Sequence, residues 1–141
     1  MTEARTIGVS IDCQPQKVYE YVFNPENLTE WARGFALSVR QAGREWKIGT
    51  PQGPVSLRFA PRNIFGVLDH YIKPLHGPEL LVPMRVVPHG DGSEVVITLF
   101  RGQGVSEKSF HSDEAAVRRD LGNLRKILES LPAPASCKPG K

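Results

Sequence analysis

The stretch Gly66–Ile72, GVLDHYI, reads as a strand with an acid and an imidazole at its centre. An imidazole titrates near working pH, so His70 is a residue that could orient a ligand oxygen or act as a general base. Neighbours on a strand point to opposite faces, so one of Asp69 and His70 faces the apolar interior and the other faces water. Asp69 has a plainer role available, as one half of a cross-strand ion pair with Arg85.

Other chemistry is thinly represented. Arg101, at the end of a strand, could meet a carboxylate or a polar head group, and Trp31 could stack on a ring. Ser106, Ser109 and Ser112 have no adjacent His–acid arrangement, so no nucleophilic triad is read. The glycines of GQG at 102–104 follow no dinucleotide-binding unit and read as a loop. His76, His89 and His111 fall in turns or at a helix start. Cys13 and Cys137 form no C-x-x-C or Cys/His metal spacing, and neither a metal nor an organic cofactor is signalled.

The elements that must position these residues follow from hydrophobic period. Residues 6–12 alternate, with Ile7, Val9 and Ile11 on one face. Pro15 suits a first helical turn, and Val18, Tyr21 and Val22 follow at helical spacing until Asn24-Pro25. A second short helix over about 26–33 carries Leu28 and Trp31. From there to about residue 102 the period is two, which predicts strands near 35–41, 44–48, 55–60, 64–73, 80–88 and 94–101. A long helix is predicted over 112–131, capped by Ser112 and Asp113. Val117, Leu121, Leu124, Leu128 and Leu131 form its apolar stripe, with Asp120 on the polar side. Residues 132–141, PAPASCKPGK, read as a disordered tail to a single domain over 1–131.

The expected architecture is therefore α+β: a strand, two short helices, a six-stranded antiparallel run and a long C-terminal helix, with the curved sheet wrapped on that helix around a cavity. With 141 residues and 23% charged residues, the chain has an ordinary globular balance for one domain. The net charge of +3 is scattered and not interleaved with aromatics, which argues against nucleic acid as a partner. No segment has the length of a membrane span and no signal-peptide run is read, so a cytoplasmic protein is expected.

Turn chemistry sets the expected register. If Asp91-Gly92 is the centre of a hairpin, Val86 faces Ile97 and Met84 faces Leu99. A preceding hairpin centred on Gly77 sets Asp69 opposite Arg85 and His70 opposite Met84. The row holding His70, Met84 and Leu99 is the better interior, because an unpaired buried charge costs more than a neutral imidazole. The outer face then carries Val67, Tyr71, Val87, Val96 and Phe100, apolar enough to serve as a homodimer interface. The reversed assignment would put Asp69 and Arg85 inside instead. Phe35, Leu57, Phe59 and Met84 line the interior if the alternation holds, with Leu121 on the covering helix.

The run VSIDCQPQKVYEYVFNPENLTEW resembles the opening of the START-like, helix-grip superfamily that includes Bet v 1 allergens and polyketide cyclase/dehydrase-like (SRPBCC) proteins. An apolar strand leads to a proline, a Val-aromatic helix, an Asn-Pro turn and a Trp. The far end agrees, in GSEVVITLF and the long closing helix. The polyketide-cyclase-like branch is the nearest match. The resemblance implies a protein that holds an apolar or aromatic small molecule (polyketide-, lipid- or isoprenoid-like) between sheet and helix. Ligand contacts are then expected from Trp31, Phe35, Leu57, Phe59, His70, Met84, Leu99, Arg101 and Leu121. Two alternatives stand beside it: a cyclase or dehydratase using His70 as general base, and a protein-binding module using the convex sheet face.

Overall fold

A computed structural model describes residues 1–130. Leu131 and the tail at 132–141 lie outside the described residues. The chain runs β1 (Ala4–Ile11), α1 (Pro15–Phe23), a 3-10 turn (Pro25–Asn27), α2 (Leu28–Trp31), β2 (Ser38–Ala42), β3 (Glu45–Thr50) and β4 (Gly53–Phe59). It continues through β5 (His70–Pro74), β6 (Leu80–Val82), β7 (Met84–His89), β8 (Gly92–Phe100) and α3 (Glu107–Glu129). All pairings are antiparallel, in a three-stranded sheet ordered β1-β8-β7 and a five-stranded sheet ordered β2-β3-β4-β5-β6. This is the expected α+β architecture, closed by a long C-terminal helix.

The six-stranded run is in fact seven strands. Pro83 has no N–H to give to a ladder, and it divides the predicted 80–88 strand into β6 and β7. The two sheets meet at this break. Val67 bridges Arg85, Leu68 N–H donates to the Met84 carbonyl at 2.8 Å, and Val86 N–H donates to Gly66 at 2.9 Å.

The predicted 64–73 strand forms only from His70 onward, because Asn63 folds the preceding residues into a loop. Its Oδ1 accepts from Phe65 N–H (2.9 Å) and Val67 N–H (3.0 Å). Its Nδ2 donates to the carbonyls of Pro61 (3.0 Å) and Val67 (2.9 Å). Its own N–H donates to the Tyr19 hydroxyl at 3.0 Å. Gly66 closes the loop at φ +74°, where a Cβ would stand 2.1 Å from the Val86 carbonyl oxygen, so only glycine fits. Ile64 and Phe65 are left exposed at the tip.

The first hairpin register also differs from expectation. Its turn is centred on Gly90-Asp91, with Gly90 at φ +58°, so His89 pairs Gly92 and Met84 pairs Ile97. The shift moves each partner by two residues and leaves every side chain on its expected face.

Helix α3 begins five residues before the predicted start. Ser106, not Ser112 or Asp113, is the cap, its hydroxyl accepting from Ser109 N–H at 3.0 Å. Phe110, buried, gives the added turn its apolar contact. Leu121, Leu124 and Leu128 are each 1% exposed or less, and burying each contributes roughly 1.5–3 kcal/mol. Asp120, expected on the polar side, is buried. It lies three residues after Val117 and four before Leu124, within the apolar stripe, and its Oδ1 accepts from Gly34 N–H at 3.2 Å. Burial pushes its carboxyl above the usual range against that hydrogen bond and the charge of Arg119. None of the helices among the described residues is long and apolar enough to cross a membrane.

Candidate functional site

The antiparallel register places Trp46 opposite Leu57, Leu57 opposite Ile72, and Phe59 opposite His70. Opposite residues share a face. Leu57 is fully buried, so this row is the inner one and His70 shares it. Asp69 is on the outer side, where it accepts from Arg85 Nε (3.1 Å), Arg85 Nη2 (2.8 Å) and the Met84 N–H (2.9 Å). The Arg85 guanidinium, first among these, holds the Asp69 carboxyl below the usual carboxylate range, and burial opposes it. Asp69 meets Arg85 diagonally, since the backbone partner of Arg85 is Val67.

His70 Nδ1 lies 3.0 Å from the Leu68 carbonyl oxygen. A carbonyl only accepts, so Nδ1 carries the proton. Burial lowers the pKa of the ring below its ordinary value, opposed by the Leu68 hydrogen bond and the charge of Asp69. The neutral ring therefore keeps Nε2 as an acceptor.

The cavity expected between the sheet and the C-terminal helix is found elsewhere: an open cavity of about 540 Å³ lies where β3 begins and β4 ends, between α1 with its following turn and the segment at 60–62, and α3 contributes no residue to it. Phe23, Trp46 and Phe59 supply its aromatic wall, with Pro25 and Pro61 beside them. Glu20, Arg44, Arg58 and Arg62 supply its charge. Arg62 pairs with Glu20, and its guanidinium stands 4.6 Å from the centre of the Phe23 ring. Arg58 lies 4.1 Å over the Tyr71 ring and 3.4 Å from Glu79. Arg44, in the turn between β2 and β3, has no ion-pair partner among the described residues.

A file of rings leads inward from this cavity. Tyr19 stacks on Phe23 (centroids 5.4 Å), Phe23 meets Phe59 (5.7 Å), and Phe59 meets His70 edge-on (5.4 Å). Phe59 thus stands between the cavity and the imidazole.

Of the ligand contacts expected from sequence, Phe59 lines the cavity and His70 lies behind it. Leu57, Met84 and Leu121 are at most 1% exposed and belong to the packed core, with Phe35 and Leu99 against it half-buried. Trp31 is buried too, and its indole N–H has no hydrogen-bond partner among the described residues. Arg101 is turned elsewhere: Nε donates to the Val105 carbonyl at 2.8 Å and Nη1 lies 3.5 Å from Glu3. Sequence reading missed Phe23, Trp46, Arg44 and Arg62. The period of two on β3 was a signal for Trp46, which shares a face with the buried Ile48 two residues on. Nothing in a linear pattern marks where the helices cease to cover the sheet.

No family model matches the sequence, and no curated protein matches it. Solved structures do match its shape. The Bet v 1 allergen Ara h 8.0201 superposes with a TM-score of 0.70 at 11% identity, over 93% of this chain and 100% of the allergen. The fold is the helix-grip fold of that allergen. CalU16 from Micromonospora echinospora shares the helix-grip fold at 16% identity and a TM-score of 0.66, over 94% of this chain and 78% of its own. So does the Aha1 dimer from Colwellia psychrerythraea, at 13% identity and a TM-score of 0.70, over 91% and 97%. At such identities the likeness carries the fold alone.

Proposed function

We propose that the protein binds a small apolar or aromatic molecule, polyketide-, lipid- or isoprenoid-like, seated in the cavity walled by Phe23, Trp46 and Phe59. The carrying observation is the cavity's size, within the roughly 300–1,000 Å³ of small-ligand pockets, together with the three aromatic rings that stand among its charged groups. Rotation of Phe59 would extend the seat to Nε2 of His70, which would accept a hydrogen bond from a ligand hydroxyl.

Binding is favoured over a cyclase or dehydratase. Such chemistry needs a proton donor and an acceptor close together. The hydrogen-bond partner of His70 is a backbone carbonyl. The tyrosines are engaged elsewhere: Tyr19 accepts from Asn63 N–H, and Tyr21 donates to Glu30 at 2.7 Å. The convex face offers less than its composition promised for a homodimer. Val87 and Phe100 are exposed, but Arg58 covers the Tyr71 ring.

Native mass spectrometry of freshly purified protein, followed by solvent extraction, tests the reading. The expected result is a stoichiometric apolar or aromatic adduct that is lost in Phe59→Ala. An adduct retained equally by Phe59→Ala and Trp46→Ala would move the site elsewhere and overturn it.

A further inference from the structure

The charges of this cavity are unequally committed. Its wall holds Arg44, Arg58 and Arg62 against one acid, Glu20. Arg62 is spent on Glu20, and Arg58 is drawn to Glu79 and the Tyr71 ring. Arg44 alone of the three has no anionic partner among the described residues. It sits on the rim of a wall whose other features are flat: Phe23, Trp46 and Phe59. A guanidinium is planar, always charged and offers a fork of N–H groups that meets two oxygens of one oxyanion. We infer that the ligand is a planar aromatic anion, its ring between Phe23, Trp46 and Phe59 and its carboxylate (or an equivalent sulfonate) on Arg44. This rests on the cavity's being the binding site, as proposed above, and adds the ligand's charge.

Two probes that share a skeleton separate the two claims. 8-Anilinonaphthalene-1-sulfonate carries the anion, and N-phenyl-1-naphthylamine is the same ring system without it. Titration of each into the full chain by calorimetry at low salt should find the sulfonate about tenfold tighter. Arg44→Gln should remove most of that preference and leave the neutral probe unchanged, because Arg44 is exposed and in a turn. Phe59→Ala should weaken both probes. Equal or tighter binding of the neutral probe would overturn the inferred charge and leave the cavity standing. A sulfonate preference that survives Arg44→Gln would overturn it as well, by placing the anion on another cation. Failure of both probes to bind, or indifference of both to Phe59→Ala and Trp46→Ala, would bring down the cavity reading and this inference with it.

Discussion

The inner faces of the two sheets are finished differently. In the three-stranded sheet Ile7, Ile11, Met84, Val86, Val95 and Ile97 are all 7% exposed or less, and Val9 and Leu99 alone of that apolar face are partly exposed. In the five-stranded sheet only Ile48 and Leu57 are buried so deeply, while Val39, Trp46, Val55, Phe59, Ile72 and Val82 remain partly exposed. The cause is helix cover. Helix α3 packs on β1, and α1 packs on β7 and β8. The five-stranded sheet receives chiefly α2 and the turn before it, both against β2. The cavity forms where cover runs out, at the ends of β3 and β4. One half of the molecule is filled by its own side chains, and the other has room left for something else.

The largest effect expected from this contrast is on stability. Leu124→Ala should cost about 3 kcal/mol by chemical denaturation, since it empties a fully buried site under the covered sheet. Phe59→Ala, on the half-open side, should cost about 2 kcal/mol, less than a fully buried Phe. Equal costs would break the comparison, for the second half would then be packed like the first.

A pH titration sharpens it further. Burial holds the His70 pKa below its ordinary 6.5, so the unfolded chain takes up the proton at a higher pH than the folded one. Stability from this group is complete above about pH 6.5 and is lost as pH falls below it, down to the folded pKa. His70→Gln should flatten that part of the stability curve. An unchanged slope would mean that the ring is open to water. The smallest effect belongs to the outer surface. Asp69→Asn should cost less than about 1 kcal/mol, because Arg85 is nearly half exposed and the amide oxygen still accepts from Met84 N–H. A larger loss would mark the seam at Val67–Arg85 as a structural joint between the sheets.

The faces of the strands were legible in the sequence although two registers were not. Met84 pairs Ile97 where Leu99 was expected, and Arg85 lies opposite Val67 where Asp69 was expected. Both errors are shifts of two, and a period of two forgives them. That is why His70 could be placed inside. The start of α3 was hidden because residues 106–114 are mostly polar and only Phe110 reports burial. The cavity was hidden for a different reason. It is a property of where α1 and α2 stop relative to β3 and β4, and Phe23, Arg44 and Arg62 come to it from three separate segments.

The loop held by Asn63 has a consequence for the protein's lifetime outside the test tube. Its tip offers Ile64 at 92% and Phe65 at 77% exposure, a sequence that chymotryptic enzymes accept. Cleavage, however, requires the backbone to be drawn out and threaded. The peptide groups flanking that tip are tied to one side chain, and Gly66 is fitted against Val86. Susceptibility to nicking follows hydrogen bonding of the backbone, not display of the side chain. The exposed tip is thus mounted on a backbone tied down on both sides, which resists the drawing-out that nicking needs.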